Sequence, residues 1–277
     1  MTRLGMTSLF VLAFAPAFAQ QKTYIALGDS LAWGYQPNDL TRGPGDKGYV
    51  KLYADWLATK QGVRPRLINL GVPGETTQSF NDTSEIGALL NSNYPVFGRK
   101  SQKNTFVDKV NQETSAGRII THVTFDIGGN DLLDLLTNQF LALPFETQRA
   151  QVDQELALLD IRLATIFSQV RQSLPSAVIV VPGYYNPYAA FPGSPSDKIA
   201  RYAMPRLNQS LYGRALQYNG LFAETYSAFV GHEATLTWIG QDDIHPNSAG
   251  YVAYGLKVVA KAANPLADRS YVHVNDK

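Results

Sequence analysis

The chain has 277 residues, 24 Lys and Arg against 23 Asp and Glu, and a formal net charge of +1. That balance leaves no electrostatic footprint for nucleic acid, and a hydrophobic fraction of 45% fits a packed globular chain rather than a disordered one. The absence of cysteine rules out a disulfide framework and a cysteine-linked lipid anchor; at this length a single core is large enough to do without cross-links.

The N-terminus reads as a secretory signal peptide. Arg3 supplies positive charge, Leu4–Phe14 is mostly apolar, and Ala17-Phe18-Ala19 offers small residues at the cleavage spacing. The apolar stretch is shorter than the roughly 20 residues of a spanning helix, so no stable membrane insertion is expected after cleavage. Residues 1–19 are therefore set apart as a leader and 20–277 as one domain, with a secreted or periplasmic, bacterial location as the expectation.

The first strand is expected at Tyr24–Leu27, an apolar run stopped by Gly28 and followed at once by Asp29 and Ser30. Leu31–Asp46 is rich in Gly, Pro and polar residues and reads as a loop. Tyr49–Lys60 carries Val50, Tyr53, Ala54 and Leu57 at helical spacing and ends at Gly62. Arg66–Leu70 reads as the second strand and runs into Asn69–Thr76. Thr77–Lys103 reads as a surface excursion with one short helix around Glu85–Leu90, and Thr105–Ser115 as a weak helix. His122–Ile127 is the third strand, followed by Gly128-Gly129-Asn130-Asp131 and a helical Leu132–Asn138.

Thr147–Leu174 is the clearest helix, because Val152, Leu156, Leu159, Leu163, Ile166, Val170 and Leu174 form one apolar stripe. After Pro175, Ala177–Val181 is the fourth strand. Pro182–Pro205 reads as a long aromatic loop and Arg206–Asn219 as the helix after it. Leu221–Thr225 is the fifth strand, with Leu236–Ile239 as the alternative, and Asn247–Ala263 is the closing helix. Strands alternating with helices imply an α/β fold with a parallel sheet covered on both faces. Right-handed crossovers bring every strand's C-terminal end to one edge, so Ser30, Gly71 and Asn130 fall together there, and the loop before the last helix brings Asp242 and His245.

Four blocks carry a family resemblance: Gly28-Asp29-Ser30-Leu31, Gly71 within Asn69–Thr76, Asn130 within Gly128–Asp131, and Asp242 with His245. In this order they resemble the SGNH (GDSL) hydrolase family over the whole mature chain. The resemblance implies a three-layer α/β/α fold of flavodoxin-like type. It also implies ester hydrolysis through an acyl-enzyme, without metal or cofactor, and an oxyanion hole of Ser30 N–H, Gly71 N–H and the Asn130 side-chain amide. The implied substrates are small-molecule esters, lipid esters or acetylated sugars.

The chemistry is legible beside the resemblance. A serine hydroxyl needs an adjacent base to act as a nucleophile, and His245 supplies an imidazole that titrates near neutrality. Asp242, three residues before it, is expected to fold back onto the ring Nδ1–H and hold its tautomer. Asp243, two before it, is expected to point away, and the family's Asp-x-x-His spacing selects Asp242 as well. Asp29, Asp131 and Asp243 read as structural or solvated. Among the four histidines, His122 reads as a core residue, His273 lies in the tail, and His232 is the rival base. Two other functions compete with the ester hydrolase. One is a metal-dependent phosphoesterase using Asp29, Asp131, Asp242 and His245; the other is a non-catalytic carbohydrate-binding or surface module. The aromatic residues of 182–205 either line an acyl groove or pack their loop onto the body, and the sequence leaves both open.

Overall fold

The structure is a computed structural model that describes residues 21–37, 44–82 and 101–266. The expected leader, the short helix around Glu85–Leu90 and His273 lie outside these residues.

Strands β1 (Lys22–Gly28), β2 (Arg66–Asn69), β3 (Ile119–Asp126), β4 (Val178–Pro182) and β5 (Leu221–Ala223) form one sheet in the order β2-β1-β3-β4-β5. Every neighbouring pair is parallel. This is the flavodoxin-like order, whose switch point lies between β1 and β3 and opens the ligand crevice at their C-terminal ends. Tyr24–Leu27 is buried without alternation, as a strand covered on both faces must be.

The helices are α1 (Ser30–Trp33), α2 (Gly48–Gln61), α3 (Gln102–Ser115), α4 (Gly129–Leu133), α5 (Asn138–Leu141), α6 (Phe145–Ser173), α7 (Pro195–Gln217), α8 (Glu233–Leu236) and α9 (Ser248–Ala263). Helices α2 and α9 pack on each other, and α6 packs on α7. Both α9 and α7 touch β4 and β5, so the sheet is the middle of three layers. The fifth strand is the one expected at Leu221, not the alternative at Leu236–Ile239.

The helix expected at Leu132–Asn138 is two short ones, α4 and α5, with turns between them, and the expected loop from Leu31 opens with α1; the largest departure follows β4. The segment read as a loop up to Pro205 contains the first half of α7, which begins at Pro195 and runs through Pro205. An interior proline costs about 3 kcal/mol in an otherwise ordinary helix, which is why a boundary was expected there. The packing opposes that cost. Ile199, Ala200, Tyr202 and Ala203 before the proline, and Leu207 and Leu211 after it, are all buried. The start is also well built: Ser194 Oγ accepts from Asp197 N–H at 3.1 Å, Pro195 takes the first position, and the Asp197 carboxylate accepts from Gly193 N–H at 2.8 Å and Asn186 Nδ2 at 3.0 Å.

Candidate active site

Ser30 leaves β1 through a turn only glycine fits. Gly28 has φ +128°, and a Cβ there would run into the Asp126 backbone. Asp29 then caps α1, its Oδ1 accepting from Leu31 N–H at 2.8 Å and its Oδ2 from Tyr184 OH at 2.6 Å. Beneath them the Asp126 carboxylate accepts from Ala32 N–H at 3.0 Å and from Tyr49 OH. Burial pushes the Asp29 carboxyl above its usual range, partly offset by the Tyr184 hydrogen bond. Burial and then the charge of Asp29 push Asp126 well up. Ser30 itself occupies the first helical position, and its N–H meets no acceptor among the described residues.

His245 reaches this point from the loop before α9. Its Nε2 lies 2.8 Å from Ser30 Oγ. The loop is closed by Trp238 N–H donating to His245 O at 2.9 Å and by a bridge between Thr237 and Pro246. Tyr185 OH donates to Ile244 O at 2.7 Å, and the Tyr35 ring lies 4.3 Å from the imidazole.

The carboxylate behind the imidazole is not the expected one. Asp243 Oδ1 lies 2.6 Å from His245 Nδ1 and also accepts from His245 N–H at 2.8 Å. One oxygen thus makes an Asx-type turn and orients the ring together, a fold-back that a residue two positions before the histidine achieves without leaving the loop. Asp242 sits exposed at the end of a 3₁₀ turn with φ +59°, and that left-handed step turns the chain so that the next residue faces the ring. Burial acts to raise the Asp243 carboxyl, but hydrogen bonds from the His245 ring and N–H hold it below its usual range.

The N–H expected from Gly71 is not free in the structure. Gly71 N–H is already donated to Asn69 Oδ1 at 3.0 Å, and Asn69 Nδ2 in turn holds Ala32 O at 2.7 Å. The glycine is required for packing, since a Cβ would come within 2.5 Å of Trp33 N. The other N–H groups of this stretch have acceptors as well: Leu70 to Ala26 O, Val72 to Gly28 O, Glu75 to Val72 O, Thr76 to Ser79 Oγ and Thr77 to the Asp131 carboxylate. Pro73 has none to give. Gly74 N–H alone is left without an acceptor among the described residues. It sits at φ +79° after Pro73 in a type II turn closed by Glu75 N–H to Val72 O at 3.0 Å. The Pro73-Gly74 pair was the sequence signal for that turn. Asn130 Nδ2 donates to Glu75 O at 2.9 Å and stands 3.5 Å from Asp29 Oδ2, so the amide is held beside this turn and beside Ser30.

A cleft opens at Ser30, Asn130 and His245. Its walls are apolar: Leu132, Leu135 and Leu136 after β3, Val152 on α6, and Ala203 and Met204 on α7. Tyr184, Tyr185 and Tyr188 also line it, so the aromatic segment both faces the cleft and packs, with Tyr185 stacked on Phe229 at 3.9 Å. Asp131 is buried and accepts from Thr77 N–H and OH; burial pushes its carboxyl up to about 6. Among the described residues no three His, Cys, Asp or Glu side chains are placed to hold a metal ion. His122 is half-buried on β3 with Nδ1 2.9 Å from Thr121 Oγ1, and His232 stands at the N-cap position of the short helix α8 without a side-chain cap bond.

Residues 26–253 match the profile of the GDSL-like lipase/acylhydrolase family. The chain is 26% identical to the uncharacterized protein YpmR of Bacillus subtilis over 190 residues, 65% of this chain and 69% of that protein. In structure it is similar to the lipase Lip_vut3 from a goat rumen metagenome (TM-score 0.61, 22% identity, 88% of this chain and 98% of that one). It is similar too to phospholipase A1 of Streptomyces albidoflavus (TM-score 0.56, 22% identity, 88% and 99%). The chain belongs to the GDSL-like lipase/acylhydrolase family and is a carboxylic ester hydrolase of that type.

Proposed function

We propose that the protein is an exported serine esterase for esters of aliphatic acids, with Ser30, His245 and Asp243 as its triad. The observation that carries this is the unbroken chain from Ser30 Oγ through His245 Nε2 at 2.8 Å to Asp243 on Nδ1 at 2.6 Å. Ser30 Oγ attacks the ester carbonyl while His245 takes its proton; Asp243 fixes the ring tautomer and stabilises the imidazolium. The oxyanion of the tetrahedral intermediate is met by Ser30 N–H and Gly74 N–H, which have no acceptor among the described residues, and by the second Asn130 Nδ2 hydrogen, held only by the 3.5 Å contact to Asp29 Oδ2 while the first donates to Glu75 O. His245 returns the proton to the leaving alcohol, giving the acyl-enzyme. Water, activated by the same imidazole, then repeats the sequence and frees the acid. The chemistry at these side chains supports an enzyme rather than a binding module, because none of its members is missing. The exported location rests on the leader-like residues 1–19.

The apolar cleft supports an aliphatic acyl group over an acetylated sugar, which would need polar partners for its hydroxyls.

Activity on p-nitrophenyl esters of rising chain length tests the reading. kcat/KM is expected to climb roughly fourfold per added methylene until the cleft is filled, and Ser30→Ala to abolish both hydrolysis and labelling by an organophosphonate with the circular dichroism unchanged. Acetyl esters preferred over octanoyl would overturn the acyl assignment, and labelling of another serine would overturn the nucleophile.

A further inference from the structure

Three separate loops supply the oxyanion donors, and one buried side chain lies where they meet. Glu75 follows Gly74, and its backbone carbonyl accepts from Asn130 Nδ2 at 2.9 Å. Its carboxylate accepts from Ser79 Oγ through Oε1 and from Gln102 Nε2 at 3.0 Å through Oε2. Gln102, on the first turn of α3, also clasps Gly28 by both main-chain groups. Gly28 N–H donates to Gln102 Oε1 at 2.7 Å, and Gln102 Nε2 donates to Gly28 O at 2.8 Å. Gly28 is two residues before Ser30. The path Ser30–Gly28–Gln102–Glu75–Asn130 therefore joins the end of β1, the turn after β2 and the start of α4 through hydrogen bonds.

The placement is costly, which argues that a plain packing role does not account for it. Glu75 is 4% exposed, and among the described residues no cation is paired with it. The charged groups around it are Asp29, from the β1 side, and Asp131, from α4; both are acidic and repel a carboxylate here. Arg162 on α6 is directed at Asp131 and Glu155. Burial, with these two charges, pushes the Glu75 carboxyl up to about 7. An apolar residue of the same length would fill the space without that penalty.

We infer that Glu75 is a positioning residue of the oxyanion hole: its carboxylate, held by Gln102 and Ser79, keeps the Gly74 turn and the Glu75 carbonyl that Asn130 Nδ2 donates to in register with Ser30. The inference rests on the esterase reading above. Donors aimed at a developing oxyanion must be held within about 0.5 Å of their working geometry, and loops alone do not provide that. Such a residue affects the transition state more than substrate binding, so its loss lowers kcat and leaves KM nearly unchanged.

The test uses Glu75→Met, which keeps length and volume and removes both acceptors, and Glu75→Gln, whose amide oxygen still faces Gln102 while its NH₂ donates to Ser79. Purified proteins are assayed for kcat and KM on the best p-nitrophenyl ester. Glu75→Met is expected to lose about tenfold in kcat with KM within about twofold, and Glu75→Gln to stay within about threefold of wild type. In an Asn130→Ala background Glu75→Met should cost about threefold rather than tenfold, because one of the two donors it positions is gone while the Gly74 turn remains. If Glu75→Met does not fold, Ser79→Ala, which removes one donor to the carboxylate, carries the same cycle with a loss of about threefold. Wild-type kcat in the folded Met variant, or losses that multiply in the double variant, overturn the inference. Those results leave the esterase reading standing as long as Ser30→Ala is inactive; residual hydrolysis in Ser30→Ala removes the reading on which the inference depends.

Discussion

At the scale of single residues, two neighbouring aspartates divide one loop between them. Asp243 holds both His245 Nδ1 and His245 N–H with one oxygen. Asp242 provides the φ +59° step that turns the chain. Asp243→Asn is expected to lose on the order of 10²–10⁴ in kcat, because an amide neither fixes the donor tautomer nor stabilises the imidazolium. Asp242→Asn should remain within about threefold, since asparagine tolerates the left-handed conformation and the charge is in solvent. Both are read as kcat on one short-chain ester across several pH values. A crippled Asp242→Asn beside a healthy Asp243→Asn would return the triad to the Asp-x-x-His pairing.

At the scale of elements, α7 makes one wall of the cleft, and one buried carboxylate ties its first turn to the segment before it. Asp197 is 1% exposed, accepts from Gly193 N–H and Asn186 Nδ2, and receives Arg201 Nε at 2.9 Å. Removing it leaves the buried Asn186 amide and the Gly193 N–H without their acceptor, at about 2–3 kcal/mol. Asp197→Ala is therefore expected to lower the melting temperature by about 5–10 °C. Thermal unfolding followed by circular dichroism checks this; an unchanged midpoint would mean that Ser194 and Pro195 hold the helix start unaided.

At the scale of the whole molecule, the floor of the site is a set of buried acids whose proton affinities are all raised: Asp29, Glu75, Asp126 and Asp131. A carboxyl whose folded pKa lies above its unfolded value favours the folded state at low pH and loses that contribution as pH rises to the folded value. For Glu75 the window runs from 4.5 to about 7, a change of about 3 kcal/mol. Glu75→Gln should therefore gain on wild type by about that amount between pH 4.5 and pH 8 in urea unfolding. His122 works in the opposite sense. Burial, then the charge of Lys22, holds its pKa down to about 4, so it withdraws stability as pH falls below 6.5. His122→Gln should gain on wild type at the acidic end. A Glu75→Gln difference that does not vary with pH would show that the carboxyl keeps its ordinary affinity.

Much of this protein was determined by the sequence alone, and for local reasons. Apolar runs stopped by Gly28, Asn69 and Gly128 place Ser30, the Asn69–Thr76 block and Asn130 at strand ends, and a parallel sheet has one such edge; His245 is the histidine whose loop returns to it. The stripe of α6 needs only its own spacing. What the tertiary structure decided are choices between near neighbours, each settled by a contact distant in sequence or by the exact path of a turn. Asp243 rather than Asp242 faces the ring because one left-handed residue rotates the loop. Gly71 packs on Trp33 and gives its N–H to Asn69, which leaves Gly74 as the open donor. Pro205 lies inside a helix because the buried face on both sides of it outweighs the missing hydrogen bond. The cleft is apolar because segments around 132–136, 152 and 184–204 meet beside Ser30, a convergence that side-chain periodicity along any one of them does not encode.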